Sequence, residues 1–102
     1  MLFKDALGGV VRDLRTNKQL ALREVAGDLI SFNYLSEIER GKKEPSSSVL
    51  KIIANGLGVE AHDLIIEAGY RMAEAKVAVP DTAESLFVRS DNWFRQYEDL
   101  SL

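Results

Sequence analysis

Very few residues in this sequence have the chemistry that an enzyme or a metal site requires. The chain contains no Cys, so thiolate zinc sites, iron–sulfur clusters and cysteine nucleophiles are excluded. Its single His, His62, cannot by itself build a His-based metal site, and we interpret it as a surface or capping residue. Glu37 and Glu39 are two positions apart, so their carboxylates diverge on a helix. We therefore expect no enzymatic activity, no cofactor and no metal.

The most distinctive group of polar side chains lies toward the end of the first half of the chain. Arg40, Lys42 and Lys43 form a short cationic run, which is the residue type that binds phosphate groups. Glu44 follows directly and weakens the local positive charge. The alternative interpretation is a solvated loop whose charges only keep the protein in solution.

The overall charge is acidic, but it is unevenly distributed. The formal net charge is −3, with 13 Lys or Arg against 16 Asp or Glu. Residues 1–59 hold nine basic and seven acidic side chains, whereas residues 60–102 hold four and nine. Because nucleic acid attracts a local basic face rather than a basic total, the two halves are expected to face different partners.

Length and composition favour one folded domain with an accessory helix. The chain has 102 residues, of which 46% are hydrophobic, and only two Pro. No apolar run approaches the roughly 18 to 20 residues that a membrane span needs, and no basic start followed by an apolar stretch indicates a signal peptide. We expect a cytoplasmic protein with no membrane partner.

Apolar residues recur with helical spacing in five consecutive segments, which predicts five amphipathic helices. No segment alternates convincingly with a period of two, so the predicted fold class is all-α. The five apolar stripes are Leu7, Val10, Val11 and Leu14; Leu22, Val25, Ala26 and Leu29; Leu35 and Ile38; Val49, Leu50, Ile53 and Leu57; and Leu64, Ile65 and Ala68.

Capping residues indicate where several of these helices begin and end. Ser31 and Ser46 are predicted N-caps of the third and fourth helices, because a serine hydroxyl can accept from a free backbone N–H in the first turn. Gly41 and Gly58 follow those two helices, where glycine favours a C-terminal turn. Gly69 predicts a stop or a weak point in the fifth helix.

Two short helices joined by a tight turn, packed on a first helix and followed by two more, can place a recognition helix in the major groove of DNA. The runs 34–41 and 42–46 here resemble the recognition helix and following loop of the xenobiotic-response-element family of helix-turn-helix regulators, which contains the phage lambda-type repressors and Cro. The resemblance covers about Leu7 to Ala68. It implies a five-helix lambda-repressor-like DNA-binding domain over residues 1–72.

The sequence departs from the pattern of that family around the second helix. Four residues separate Ala26 from Ser31, where five are usual. Ala21 stands where Ser or Thr usually caps the helix, at a cost of about 0.5–2 kcal/mol unless another group replaces the cap. Leu22 stands where Gln often binds a phosphate, so Arg23 or a backbone N–H is expected to make that contact.

Carried over by position, the resemblance places Phe32, Asn33 and Glu37 against the base edges. Asn33 can pair with adenine, Phe32 can contact a thymine methyl, and Glu37 can accept from a cytosine amino group. The alternatives are that Phe32 is a core or staple residue, that Asn33 is an ordinary polar residue of the first turn, and that Glu37 is a solvated helix charge.

Further residues are expected to contact phosphates with little sequence preference. The resemblance also implies a partly buried ion pair between Arg15 and Glu39, which joins the first and third helices. The predicted phosphate contacts are Arg23, Ser31, Tyr34, Ser36, Arg40, Lys42 and Lys43.

Residues 73–102 are predicted to form a linker and a C-terminal dimerisation helix. Asp81 followed by Glu84 offers a capping box, and the apolar stripe beyond it is larger than one terminal helix can hide without docking. It either folds back on its own domain or pairs with a second subunit, as half-site reading by such regulators requires. The predicted dimerisation residues are Leu86, Trp93, Phe94, Tyr97 and Leu100.

Within the family, residues 2–8, 34–43 and 66–73 most resemble the actinobacterial regulators of Clp protease genes. That likeness implies a sequence-specific DNA-binding activator of proteolysis and stress genes, which binds double-stranded DNA as a homodimer and is expected to contact RNA polymerase. No small-molecule substrate is evident. The alternatives are an antitoxin or prophage-type repressor of the same fold, and a helical protein-interaction adaptor that no longer binds DNA.

Overall fold

The computed structural model describes residues 2–76, and it is helical throughout its regular elements. The helices are α1 (Phe3–Asn17), α2 (Leu22–Ala26), α3 (Phe32–Glu39), α4 (Ser47–Leu57) and α5 (Ala61–Lys76). The all-α fold class is confirmed. Within residues 2–76, no helix has the length and apolar character needed to cross a membrane. The predicted C-terminal helix, with its dimerisation residues, lies outside the described residues.

The predicted caps of α3 and α4 are confirmed. The Ser31 hydroxyl accepts from the backbone N–H of Tyr34 at 3.0 Å, and the Ser46 hydroxyl accepts from that of Val49 at 3.3 Å. Gly58 ends α4 in the left-handed conformation, with φ of +74°. The start of α3 is therefore fixed by its own sequence.

The end of α2 differs from the prediction. The helix stops at Ala26 because Gly27 adopts φ +59° and ψ −144°, a conformation that is essentially restricted to glycine. Leu29 was predicted to continue the buried stripe of this helix, but it lies in the turn and is 73% exposed. That prediction was wrong, because helical spacing alone does not register a change of backbone conformation.

The missing serine or threonine cap of α2 is partly replaced. The backbone N–H of Ala21 donates to the Glu24 carboxylate at 2.8 Å, which is one half of a capping box. The first turn of this five-residue helix is thereby held by an acidic side chain, at the helix end where negative charge is favourable.

Gly69 does not stop the fifth helix. Helix α5 continues from Ala61 to Lys76 and so crosses the predicted domain boundary between residues 72 and 73. Ala68 and Met72 are both buried on either side of Gly69. Their burial against the core offsets the low helix propensity of a single glycine, which is worth about 1 kcal/mol.

The core lies between α1 and the other helices. Helix α1 packs against α3, α4 and α5, while α2 packs against α3 and α4. The side chains that are almost completely buried come from four of the helices, so α3 is anchored on one side by the common core. They are Leu7, Val10, Val11, Leu35, Ile38, Leu50, Ile53, Leu57, Leu64 and Ile65.

Two glycines allow backbones to approach closely. A Cβ at Gly8 would collide with the carbonyl oxygens of Ile38 and Glu39 at the end of α3. A Cβ at Gly56 would collide with the carbonyl of Val25 in α2. Both helices of the helix-turn-helix pair are therefore seated against glycines of their neighbours.

Replacing Gly8 by alanine should lower the free energy of unfolding by about 1–3 kcal/mol, because backbone rather than a flexible side chain must move. Gly9 is the matched control, since a Cβ there would meet only the guanidinium of Arg71. G9A should be neutral or stabilising by up to about 1 kcal/mol. Urea unfolding of both variants measures the difference, and equal stabilities would contradict the close packing of α1 on α3.

Candidate nucleic-acid interface

Helix α3 has one buried side and one open side. Leu35 and Ile38 face the core and are fully buried. Phe32 is 39% exposed, and Asn33 in the first turn is exposed as well. Phe32 is partly covered but does not belong to the buried core, so the interpretation of Phe32 as a core residue does not hold.

Phe32 is in contact with α2 through Arg23. The guanidinium carbon of Arg23 lies 4.6 Å from the centroid of the Phe32 ring, which is a cation–π contact. This contact joins a predicted phosphate-binding residue to a predicted base-contacting residue. It also spans the turn between α2 and α3 on the solvent side.

Glu37 and Lys43 form a second connected pair on the open side of α3. The Lys43 ammonium lies 3.7 Å from the Glu37 carboxylate and 5.7 Å from the ring centroid of Tyr34. The Glu37 side chain is 34% exposed. A carboxylate next to phosphates is repelled, so a neighbouring ammonium reduces the cost of placing Glu37 in a groove.

The remaining predicted phosphate contacts lie at the start of α3, within it or directly after it. Arg40 and Lys42 are exposed, and Ser36 is half-buried. The Ser31 hydroxyl accepts the cap hydrogen bond, which leaves its proton available as a donor. All seven predicted phosphate-binding residues thus lie in α2, in α3 or in the segments that flank α3.

Arg15 and Glu39 form a bidentate ion pair between α1 and α3. The Arg15 Nε and Nη2 donate to the two Glu39 oxygens at 2.7 and 2.9 Å, and Nη1 donates to the Leu20 carbonyl at 2.9 Å. The side chains are 15% and 5% exposed. Hydrogen bonding to Glu39 raises the pKa of Arg15, outweighing the opposite effect of burial. The guanidinium is therefore charged at neutral pH, as an arginine ordinarily is.

A different, acidic surface lies along α1 and α5. Asp13, Asp63 and Glu67 line a shallow groove, together with Arg71. The Arg71 guanidinium lies 2.8 Å from Asp13 and 3.9 Å from Glu67. This surface has the wrong charge for phosphate, and two of its three carboxylates, those of Asp63 and Glu67, come from the acidic second half of the chain.

Sequence reasoning did not find that Arg23 and Phe32 touch, or that Lys43 lies beside Glu37. The first pair is separated by nine positions and by a turn, so no helical spacing relates the two residues. The second pair crosses the end of α3. Only the path of the backbone after Gly27 and Gly41, both at positive φ, brings these side chains together.

The sequence profile described as helix-turn-helix matches residues 11–64, which is more than half of the chain. The chain belongs to the XRE-type helix-turn-helix family. In this family member, the matched region contains α2, α3 and α4 entirely, and it includes the exposed side of α3 described above.

Several relatives are regulators by name. The chain is 44% identical over 73 residues to the transcriptional regulator ClgR of Mycobacterium tuberculosis, covering 71% of this chain and 65% of that protein. It is 41% identical over 56 residues to the HTH-type transcriptional regulator DdrOP3 of Deinococcus deserti, covering 54% and 43%. The chain thus spans just under two thirds of the first of these relatives.

Solved structures give the same result for the helix-turn-helix fold. Two crystal structures of the clp gene regulator ClgR from Corynebacterium glutamicum match with TM-scores of 0.66 and 0.70. The sequence identities are 43% and 37%, and the matches cover 72% and 91% of this chain and 96% and 94% of the others. The predicted resemblance to Clp-gene regulators is confirmed.

Proposed function

We propose that this chain is a sequence-specific DNA-binding transcriptional regulator, without enzymatic activity, that acts in the cytoplasm. The observation that supports it most is the geometry of α3, which is buried through Leu35 and Ile38 and open at Phe32 and Asn33. The cationic groups of Arg23 and Lys43 lie beside Phe32 and Glu37, where they would meet the sugar–phosphate backbone while α3 lies in the major groove.

The name of the ClgR relatives points to the genes controlled. ClgR of Corynebacterium glutamicum is titled a clp gene regulator, and the identities of 43% and 37% extend over most of this chain. We propose the same class of target for this protein, with activation of transcription through contact with RNA polymerase.

A dimer is the proposed binding form, because one short recognition helix contacts too few base pairs for specific binding. Helix α5 offers apolar surface in support of this: Ile66 and Tyr70, four positions apart, are 41% and 63% exposed. The predicted dimerisation residues Leu86, Trp93, Phe94, Tyr97 and Leu100 follow this helix in the sequence. Pairing of two subunits would bury both sets.

A footprint on DNA selected from genomic fragments tests the proposal. We expect two protected half-sites, about one helical turn or a multiple of it apart, as two recognition helices on a two-fold axis require. Binding should saturate and weaken steeply with salt. Equal and weak affinity for all fragments would contradict specific readout, and no salt-sensitive binding at all would favour the adaptor alternative.

Lys42 and Lys43 provide a quantitative test of phosphate binding. The double variant K42A/K43A should bind every sequence more weakly and lower the slope of log affinity against log salt by about 1.8 per subunit. Lys18, an exposed residue at the end of α1, is the control, and K18A should leave the slope unchanged. Titration by fluorescence anisotropy at four salt concentrations measures both, and an unchanged slope in the double variant would exclude these lysines as phosphate contacts.

A further inference from the structure

Arg23 is positioned to do two things at once. Its guanidinium lies over the face of the Phe32 ring, 4.6 Å from the centroid. A guanidinium that stacks face to face on a ring keeps its N–H groups, which lie in the guanidinium plane, free to donate at the edge. Within residues 2–76, the Arg23 side chain makes no hydrogen bond or salt bridge, although its backbone carbonyl accepts from the N–H of Gly27. The five N–H donors of Arg23 are therefore available while the stack on Phe32 is intact.

Arg23 also lies next to the position where this sequence lacks the phosphate-binding Gln of the family. Leu22 begins α2 where the family often has a phosphate-binding Gln, and Arg23 is the neighbouring side chain that can supply this contact. Phe32 is the first residue of α3, and 39% of it is exposed. Without Arg23, its ring would have fewer neighbours to fix its rotamer.

We propose, building on the DNA binding proposed above, that Arg23 is a positioning residue that couples a phosphate contact to the base contact of Phe32. The edge of the guanidinium binds the backbone phosphate beside α2. Its face holds the Phe32 ring against the methyl group of a thymine in the major groove. Arg23 therefore influences which base is read, although it touches none.

The test uses a lysine in place of the arginine. R23K keeps one positive charge and can still meet a phosphate, but an ammonium has neither the flat face nor the forked edge of a guanidinium. The salt slope of R23K should equal that of the wild type. Sequence selection at the Phe32-dependent base pair should fall, and this is the result that a simple phosphate contact would not produce.

The measurement compares thymine with uracil, which differ only in the methyl group. Each thymine of the selected operator is replaced in turn, and affinity is measured for the full-length wild type, F32A and R23K. Removing one buried methyl should weaken wild-type binding by about fourfold at one position in each half-site. F32A should lose this preference, and R23K should lose most of it.

R12K provides the matched control, because Arg12 is an exposed arginine on α1. It should retain both the salt slope and the preference for thymine. If R23K also retains the full preference for thymine, or if no thymine depends on Phe32, the coupling is disproved. If the wild type selects no operator at all, the proposed DNA binding fails first, and the two failures are thereby distinguished.

Thermal unfolding of R23K should match the wild type, since the side chain is exposed.

Discussion

Removing one partner of the Arg15–Glu39 ion pair should lower the free energy of unfolding by about 3–5 kcal/mol. The pair makes two hydrogen bonds between the side chains, at 2.7 and 2.9 Å, and the Glu39 side chain is only 5% exposed. In R15M, this carboxylate keeps its low exposure but loses the cation that compensates for desolvation. In E39L, the guanidinium is stranded in the same way. Urea unfolding with a fixed m-value measures both losses.

The double variant R15M/E39L distinguishes lost pairing from lost packing. Two apolar side chains of similar length leave no charge behind, so the double variant should be more stable than either single variant. R15K should give an intermediate loss and remain folded, because lysine keeps the charge but not the forked geometry.

The ion pair between Arg71 and Asp13 offers the matched comparison. Its atoms lie 2.8 Å apart, but the side chains are 32% and 55% exposed. D13N should therefore cost less than about 1 kcal/mol. If R15M lowers the free energy of unfolding by no more than D13N does, the Arg15–Glu39 pair contributes only as much as a solvent-exposed ion pair.

The Arg15–Glu39 ion pair also affects the candidate DNA-binding surface, because it holds α3 from its inner side. Arg15 donates to the Leu20 carbonyl just before α2 as well as to Glu39 in α3. The Arg15 guanidinium thus connects α1 to the segment that precedes α2 and to α3. A loosened link should lower DNA affinity as well as stability, although neither residue lies on the open side of α3.

The sequence predicts local features well and contacts between helices poorly. Ser31 and Ser46 are readable as caps because each acts on a backbone N–H three residues away. The sequence of α4 does not explain Gly56, because a glycine within a helix only lowers helix stability. The explanation is the carbonyl of Val25 in α2, which leaves no room for a Cβ at this position. Leu29 has the spacing of a buried residue, yet the backbone leaves the helix at Gly27 before reaching it.

The candidate site follows the same division. The resemblance places Phe32, Asn33 and Glu37 on one side of a helix, and that side can be located because the helix start is fixed by Ser31. The partners that hold two of these side chains, Arg23 and Lys43, depend on the conformations of two loops. Each loop contains a glycine at positive φ within its first two residues, and helical spacing does not predict the path of the chain beyond such a glycine.

Asn33 should have the largest effect on which sequence is bound. It is exposed in the first turn of α3, and its amide makes no hydrogen bond to another of residues 2–76. A bidentate contact with adenine is worth about 1–3 kcal/mol of discrimination. N33A should therefore weaken operator binding by about 5- to 150-fold per half-site, with little change in non-specific affinity or in the salt slope.

The expected loss must be confined to one base pair. When the contacted A·T pair of each half-site is replaced, wild-type affinity should fall to that of N33A, and N33A itself should lose little more. N55A, at an exposed asparagine of α4, should behave as the wild type. The stability of N33A should be unchanged or slightly higher, because alanine favours an exposed helical position. Equal losses at every operator position would contradict a direct base contact and would assign Asn33 to the backbone instead.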